Sequence, residues 1–400
     1  MSNCLPSIDA VIQQILDHVK PLPPLIGPAL SNQLGIVIAE DILADSDMPA
    51  LPTSRMDGYA IRKSDLILGK ILSIVGSTLA GNPAGHLVGA SACFKIATGA
   101  LLPSGADCVI PEEEVRKFAD KIEILSTASA HNKYIRNAGE EFRKGQMLIK
   151  SGTPLGPVEY GLLALAGRTS MQQFEMPKIS LISSGDEIIE PGIKPESHQT
   201  RNSNGPMLMA QLCRAGALPR FLGIAPDKPA PLLSLLKEGA NHEAMVLSGG
   251  ASKGECDLVR NALIQLGYEI FIPGVMMKPG KPFFCAKNPN GKLAFGLPGN
   301  PVSAFVCMEL FVRPAIQMMR GVPHYFQSSK KIGLIQSRFE WMGDRPLVLP
   351  MKKNLAGNLE PCSISGSADL LAISGVNSLA LLNASGKLMA GDQVEFICVE

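Results

Sequence analysis

Apolar residues change their spacing several times along the chain. Ile8, Val11, Ile12, Ile15, Leu16 and Val19 recur at helical intervals behind Ser7, a fitting N-cap, and predict an amphipathic first helix. "KPLPPLIGP" breaks that pattern, because proline lacks a backbone donor and disfavours helix in the residue before it. Between residues 30 and 172 the apolar runs are short and bounded by turns, as in "GIVIAEDI", "KILSIVG", "CFKIATG", "DCVIP" and "KIEIL", which predicts a β-rich region. From about residue 176 strand and helix patterns alternate. "KISLIS", "PRFLGI", "AMVLSG", "EIFIPGV" and "KLAFGL" have strand character. "GPMLMAQLCRAGA", "PAPLLSLLKEGANH", "CDLVRNALIQLGY" and "PVSAFVCMELFVRPAIQMMRG" have helix character. Such alternation predicts right-handed βαβ units and a doubly wound, mainly parallel sheet. From about residue 326 short strands return in "KIGLIQS", "RPLVLPM", "SLALLN" and "QVEFICV", predicting a small terminal β-barrel or sandwich. The expected fold class is multidomain α/β.

In an open α/β sheet, ligands bind beyond the carboxyl ends of the strands. Here those ends carry "SSGDE", "APD", "SGGASKGECD", "KPGKP" and "LPGNP". They set Asp186, Glu187, Asp227 and Asp257 against Lys278 and Lys281. Proline and glycine give "KPGKP" and "GLPGNPVS" rigid, unusual backbones. Asn300 suits an N-cap and Pro301 the first helical position, so "LPGNPVS" brings a helix start to the sheet edge. The two phrases predict the walls of an anion pocket, with the lysines as point charges and the carboxylates as candidate Mg²⁺ ligands. Taken singly, each feature has a plainer explanation: a Gly-Pro phrase is a turn, a lysine is solvated, and an acid at a strand end caps the next helix. Their convergence on one sheet edge is what favours a site.

Two other motifs fail. Gly274, Gly280, Lys281 and Pro282 resemble a P-loop with one residue too many, and with proline where Mg²⁺ needs a hydroxyl. "GASKG" matches G-x-S-x-G with Ser252 at the nucleophile position, but the one later histidine is His324, in a proline-flanked loop.

Composition narrows the class. The chain has 400 residues, 46% of them hydrophobic and 18% charged, which predicts two to four folded domains. With 37 basic and 36 acidic residues, nothing global steers it to nucleic acid or an anionic membrane. No run reaches the roughly 18 consecutive apolar residues of a membrane span, and no signal-peptide pattern opens the chain. Nine scattered cysteines without a C-x-x-C pair predict reduced thiols and a cytoplasmic setting. With six dispersed histidines, any metal is expected on carboxylates.

"RMDGYA", "TGALLPSGADCVI", "YIRNAGEE", "SSGDEI", "SGGASKGECD", "KPGKP" and "GLPGNPVSA" occur in the order and spacing of the MoeA-type molybdopterin molybdenumtransferases. The resemblance spans nearly the whole chain. It implies an enzyme that inserts molybdate into adenylylated molybdopterin with Mg²⁺ and release of AMP, at the last step of molybdenum cofactor assembly. It implies an elongated homodimer of four domains: an extended helical and β region (1–44 plus 140–174), a β-rich domain (45–139), an α/β molybdopterin-binding domain (175–325) and a C-terminal β-barrel (326–400). A molybdopterin adenylyltransferase and molybdoenzyme maturation factors are the implied partners, and neither nucleic acid nor membrane is.

Carried over by position, Asp57 and Thr98 face the cleft of the partner subunit. Glu187, Asp227 and Asp257 are acidic positions for metal and pyrophosphate, and Lys278 and Lys281 bind anions. Pro298 and Pro301 form the cleft wall and Ser252 is a pocket hydroxyl. Ser184, Gly249, Gly250, Asn300, Ser303, Glu141 and Ser367 complete the implied cofactor-binding set. This chain departs from the family pattern at Glu141, in place of an aspartate, and at Ser184, in place of a threonine. It departs again at Lys253, in an often apolar place, and in "DRPLVLPM", where Arg345 is the nearest substitute for a missing arginine. A scaffold like the receptor-clustering protein gephyrin, or a stand-alone adenylyltransferase, is the rival reading. The latter leaves half the chain idle.

Overall fold

The computed structural model describes residues 5–31, 34–82, 87–128, 134–249 and 256–399, apart from the side chains of 256 and 257. Gly250 and Ser252 lie outside the described residues, as does the side chain of Asp257. The central sheet has six strands: β1 (Lys178–Ser184), β2 (Leu218–Ala225), β3 (Ala244–Ser248), β4 (Glu269–Ile272), β5 (Phe284–Lys287) and β6 (Leu293–Leu297). Their order is β2-β1-β3-β6-β5-β4. β2, β1, β3 and β6 pair in parallel. β5 runs antiparallel to both of its neighbours.

Successive strand residues point to opposite faces, and both faces are covered. On one side Leu181, Val246 and Phe295 pack with Leu208 and Leu212 of the helix Asn204–Arg214 and with the helix beginning at Pro301. On the other, Ile182, Leu247 and Ala294 meet Leu232 and Leu236 of Pro229–Gly239 and Leu263 of Cys256–Gln265. The alternation predicted every one of these elements except β5. Its four residues follow a proline-rich turn and show neither period clearly.

The stretch Pro301–Met319 is long and apolar enough to cross a membrane, yet 94% of its apolar window is buried inside the protein. It is a core helix with a π turn at Met308–Val312. Glu309, 3% exposed, accepts there from Arg214 at 2.5 Å, Gln211 at 2.6 Å and Arg313 at 2.8 Å. A carboxylate so deeply buried needs such partners.

The first helix, Ile8–Leu16, is capped by Ser7, whose Oγ accepts from the Ala10 amide at 3.3 Å. It buries Val11, Ile12 and Ile15 in the same apolar cluster as the core helix. Strand pairs Pro24–Pro28 with Ser170–Phe174, and Ile42–Leu43 with Met147–Ile149, enclose a separate cluster around Ile38, Leu163 and Met171. Residues 58–124 form a mixed six-stranded sheet. Beyond residue 329, an antiparallel sheet runs in the order Lys330–Leu334, Gln393–Cys398, Ser378–Leu382, Leu347–Lys353, Leu359–Pro361. One isolated bridge, Ile335 to Leu359, joins its two edges.

Phe284 lies directly opposite Gly296 in the β5–β6 ladder, and a Cβ at 296 would overlap its ring. Arg260 sits over the same ring at 4.8 Å, and Phe284 is 1% exposed, so the ring has nowhere to go. Gly296→Ala should cost roughly 1–3 kcal/mol in urea unfolding, the scale of overpacking a tight core. Adding Phe284→Leu should recover part of that loss; a Gly296→Ala protein as stable as the parent would refute the close approach.

Candidate active site

The parallel strands all end at one edge, and β5, running the other way, begins there. This is why "KPGKP" joins loops that follow β1, β3 and β6. Two cavities open at that edge, of about 640 Å³ and 560 Å³. They share Pro282, Pro298 and Asn300 as a common wall.

Ser184, Glu187, Gly249, Pro298, Asn300 and Pro301 line the first cavity. Its floor also carries Ser183, Asn202, Asn204 and Ser248, four buried polar residues that the sequence did not single out. They form a bonded set: Asn204 Nδ2 donates to Ser248 Oγ at 2.9 Å and to the Gly299 carbonyl at 2.7 Å, and Ser183 Oγ donates to Asn202 Oδ1 at 3.2 Å. The Gly299 carbonyl can only accept, which fixes the orientation of the Asn204 amide. Gly249 has a φ of 99° and passes the Ser184 carbonyl so closely that a Cβ would overlap it. Only glycine lets the β3 loop approach β1 in this way.

Lys278, Lys281, Ser303 and Ser367 line the second cavity with Arg345. Arg345, the substitute for the missing arginine, therefore stands beside both lysines. Its Nε donates to Asp344 at 3.0 Å. That bond, followed by Asp344's own backbone and with Lys281 adding to it, holds the Asp344 carboxyl below the usual carboxylate range. The C-terminal domain helps build this cavity. The Lys278 amide donates to Pro346 O, and the Val348 amide to Lys278 O, each at 2.8 Å. Asn300 occupies the N-cap position, but its side chain does not cap the helix; it donates to Ser367 Oγ at 2.7 Å. Ser367 O in turn accepts from the Val302 amide at 3.0 Å. The turn around Ser367 is set by Asp369, which accepts from Ser365 and Ala372; the Ser365 bonds, foremost, lower its pKa.

The other expected residues stand apart from these cavities. Asp227 and Asp186 exchange bonds, the Asp227 amide to Asp186 Oδ1 at 3.0 Å and the Asp186 amide to Asp227 Oδ2 at 3.4 Å, which joins two loops. Glu141 pairs with Arg136 at 2.8 Å. Among the described residues, no three His, Cys, Asp or Glu side chains gather as a metal cluster. Asp57 and Thr98 meet because Gly58 pairs with Ile96 across the β-rich sheet. The Thr98 amide and Oγ1 both donate to Asp57 Oδ1, at 2.7 and 3.0 Å. They line neither cavity of their own chain.

The arrangement is that of a ligand-binding α/β protein with a two-chambered, mixed-charge cleft at the carboxyl edge of its sheet. Comparison with known proteins narrows that class. Residues 6–167 match the family model described as the MoeA N-terminal region (domain I and II), and residues 180–318 match the model of a probable molybdopterin binding domain. The molybdopterin molybdenumtransferase of Haemophilus influenzae is 34% identical over 286 residues, 71% of this chain and 70% of that protein. That of a Synechocystis species is 29% identical over 376 residues, 92% of this chain and 93% of its own length. A crystal structure of the molybdopterin biosynthesis MoeA protein from Pyrococcus horikoshii superposes with a TM-score of 0.81 at 27% identity, covering 99% of this chain and 100% of that one. The chain belongs to the MoeA-type molybdopterin molybdenumtransferase family.

The Thr98 backbone bond, with the hydroxyl bond next and Lys95 adding a smaller pull, lowers the Asp57 pKa below its ordinary 3.8. A carboxyl depressed by folding lends stability that is present above its unfolded pKa and lost as pH falls through the folded one. Thr98→Val should therefore raise the Asp57 titration towards its ordinary value, followed by carboxyl NMR chemical shift. An unmoved midpoint would remove the hydroxyl from the account of this pair.

Proposed function

We propose that this protein inserts molybdate into adenylylated molybdopterin with release of AMP; its relatives are named molybdopterin molybdenumtransferases. The observation that carries this reading is the pair of cavities divided by one proline and asparagine wall: a hydrogen-bonding chamber that also carries Glu187 and Arg201, beside a cationic one. Buried amides and hydroxyls in the first suit the donor and acceptor edges of a pterin. Lys278, Lys281 and Arg345, with the hydroxyls of Ser303 and Ser367, suit a tetrahedral oxyanion in the second. A rigid shared wall keeps the two ligands in fixed relation, the condition under which proximity accelerates a reaction.

Mg²⁺ binds through one or two carboxylates plus substrate phosphates rather than in an all-protein cage. Glu187 is such a carboxylate in the first cavity. Asp227, on the adjoining loop, is the second candidate, its Oδ2 taking the Asp186 amide at 3.4 Å, and Asp257 is the third. When bound, the ion would neutralise phosphate charge as the adenylate bond breaks. Ser184 and Gly249 would shape the phosphate end of the chamber, with Gly250 and Ser252 continuing that loop.

The working form is a cytoplasmic homodimer with the domain limits given above. Its C-terminal sheet closes as a barrel, a reading supported by the Ile335–Leu359 bridge. Asp57 and Thr98, outside both cavities of their own chain, would serve the cleft of the second subunit, with Glu141 near the connection between domains. Lys278 and Lys281 line the second cavity and make no ion pair among the described residues, which favours an anion-handling enzyme over a scaffold.

Purified protein given adenylylated molybdopterin, Mg²⁺ and molybdate should release AMP in proportion to molybdenum incorporated. Lys281→Ala should weaken molybdate capture by about 1–3 kcal/mol, read as a raised KM for molybdate with the fold intact. Absence of molybdate-dependent AMP release, with ligand demonstrably bound, would defeat the enzyme reading.

Subunit mixing tests the shared cleft. Asp57→Ala and Asp257→Ala chains should each be nearly inactive alone. If the cleft is shared, a mixed dimer has one doubly damaged and one intact site, so random exchange of equal amounts should restore about a quarter of all sites in a two-fold dimer. No recovery after proven exchange would assign both residues to one chain's own site.

A further inference from the structure

Two segments of the N-terminal half run side by side as one long ribbon. Residues 35–54 pair antiparallel with residues 135–155, from Gly35 with Leu155, through Met48 with Phe142, to Ser54 with Ile135. At about 3.3 Å per residue, a ribbon of that length spans up to about 60 Å. Its far end leads directly to the Asp57–Thr98 pair, because the Gly99 amide donates to the Ser54 carbonyl at 2.8 Å.

The near end of the ribbon is held by one side chain. Arg320, 7% exposed, donates through Nη2 to the Gly35 carbonyl and through Nη1 to the Ala215 carbonyl at 3.1 Å. Beside it, Gly152 of the second segment lies so near the Gly321 carbonyl that a Cβ there would stand 3.0 Å from the oxygen. Ala215 is the C-cap of the helix Asn204–Arg214, and Arg320 is itself the C-cap of Arg313–Met319, the last part of the core helix. Carbonyls left unpaired at helix ends favour a cation, which accounts for a buried arginine that pairs with no carboxylate among the described residues.

The same two helices begin at the first cavity, Asn204 on its floor and Pro301 in its wall. Arg320 therefore ties the base of the ribbon to the helices that frame the cavity, while the ribbon carries Asp57 and Thr98 at its tip. Length magnifies any error at the base: one degree over about 60 Å displaces the tip by about 1 Å. A misplacement of about 1 Å can cost about a hundredfold in rate.

We infer that Arg320 is a positioning residue for the transfer reaction: it sets the angle between the ribbon and the α/β domain, and through the ribbon the place where Asp57 and Thr98 meet a cleft. The consequence for turnover rests on the shared-cleft reading; the joint itself rests on the bonds of Arg320. Methionine at this position fills similar volume but releases the Gly35 carbonyl, and replacing a buried charge by an apolar side chain of like size is often neutral for stability. Lysine keeps the charge and offers the two carbonyls a single nitrogen in place of the fork.

Small-angle X-ray scattering, AMP calorimetry and turnover of the full chain together test the assignment. Arg320→Met should broaden the long end of the interatomic distance distribution. It should bind AMP with the parent's stoichiometry, since neither Arg320 nor Gly35 lines the first cavity. Its kcat per AMP-binding site should fall roughly ten- to a hundredfold, with the KM for molybdate unmoved. Arg320→Lys should lie between parent and Arg320→Met. Parent-like scattering in Arg320→Met would overturn the joint, and a parent-like kcat would overturn the positioning role even where the scattering changes. A loss of turnover that only matches a loss of AMP stoichiometry would mark a merely structural residue and overturn it too. If Arg320→Met does not fold, an Arg320→Lys protein equal to the parent in scattering and kcat decides against the assignment. Should the parent release no AMP with molybdate, the transferase reading fails, and the scattering comparison alone decides the joint.

Discussion

The site depends on the antiparallel pairing of β5 with β6. Parallel strands deliver their following loops to one edge of a sheet, and a segment that precedes a strand reaches that edge only if the strand runs backwards. β5 does so, and Lys278 and Lys281 arrive opposite the loops after β1, β3 and β6. The pairing is held where Phe284 lies over Gly296, under the guanidinium of Arg260. That contact fixes β5 against β6, and so helps to set the lysines against the Pro298–Pro301 wall.

Much of this was legible in the sequence because periodicity and strand ends carry strong signals. The strand and helix alternation after residue 176, the loops at one edge and the rigid phrases all follow from patterns that local chemistry enforces. β5 was not legible, since four apolar-leaning residues after a proline-rich turn show no decisive period. The β-rich half was read only as a class, because strand order depends on long-range pairing that short apolar runs do not encode.

At the site, residue identity was easier to read than residue partnership. The lysines and the prolines stood out by their place in rigid phrases, and Arg345 only through the family resemblance, as the nearest substitute for a missing arginine. Asp227 looked equivalent to Glu187, but it donates and accepts bonds across to Asp186, a pairing between loops 41 positions apart in sequence. Asn300 looked like a cap, and its amide is instead taken by Ser367 from another domain. Asn202, Asn204 and Arg201 lay in "TRNSN", a polar run that reads as an ordinary loop until the fold turns it into the floor of a cavity.

The segment beyond residue 329 is a wall of the candidate site rather than an appendage. Backbone bonds between Lys278 and residues 346–348 fix the peptide that carries the first lysine, and Ser367 binds both the side chain of Asn300 and the Val302 amide. Interfaces between domains of one chain ordinarily permit relative motion. Here the second cavity takes its charge from both sides of such an interface: the lysines from the α/β domain, Arg345 from the terminal one. Arg345 is already paired with Asp344, so the two lysines carry the charge there that a bound anion would offset. Anything that binds the closed form more tightly than the open one stabilises it in proportion to that difference. An anion that bound among these groups would therefore favour the arrangement in which the two segments meet.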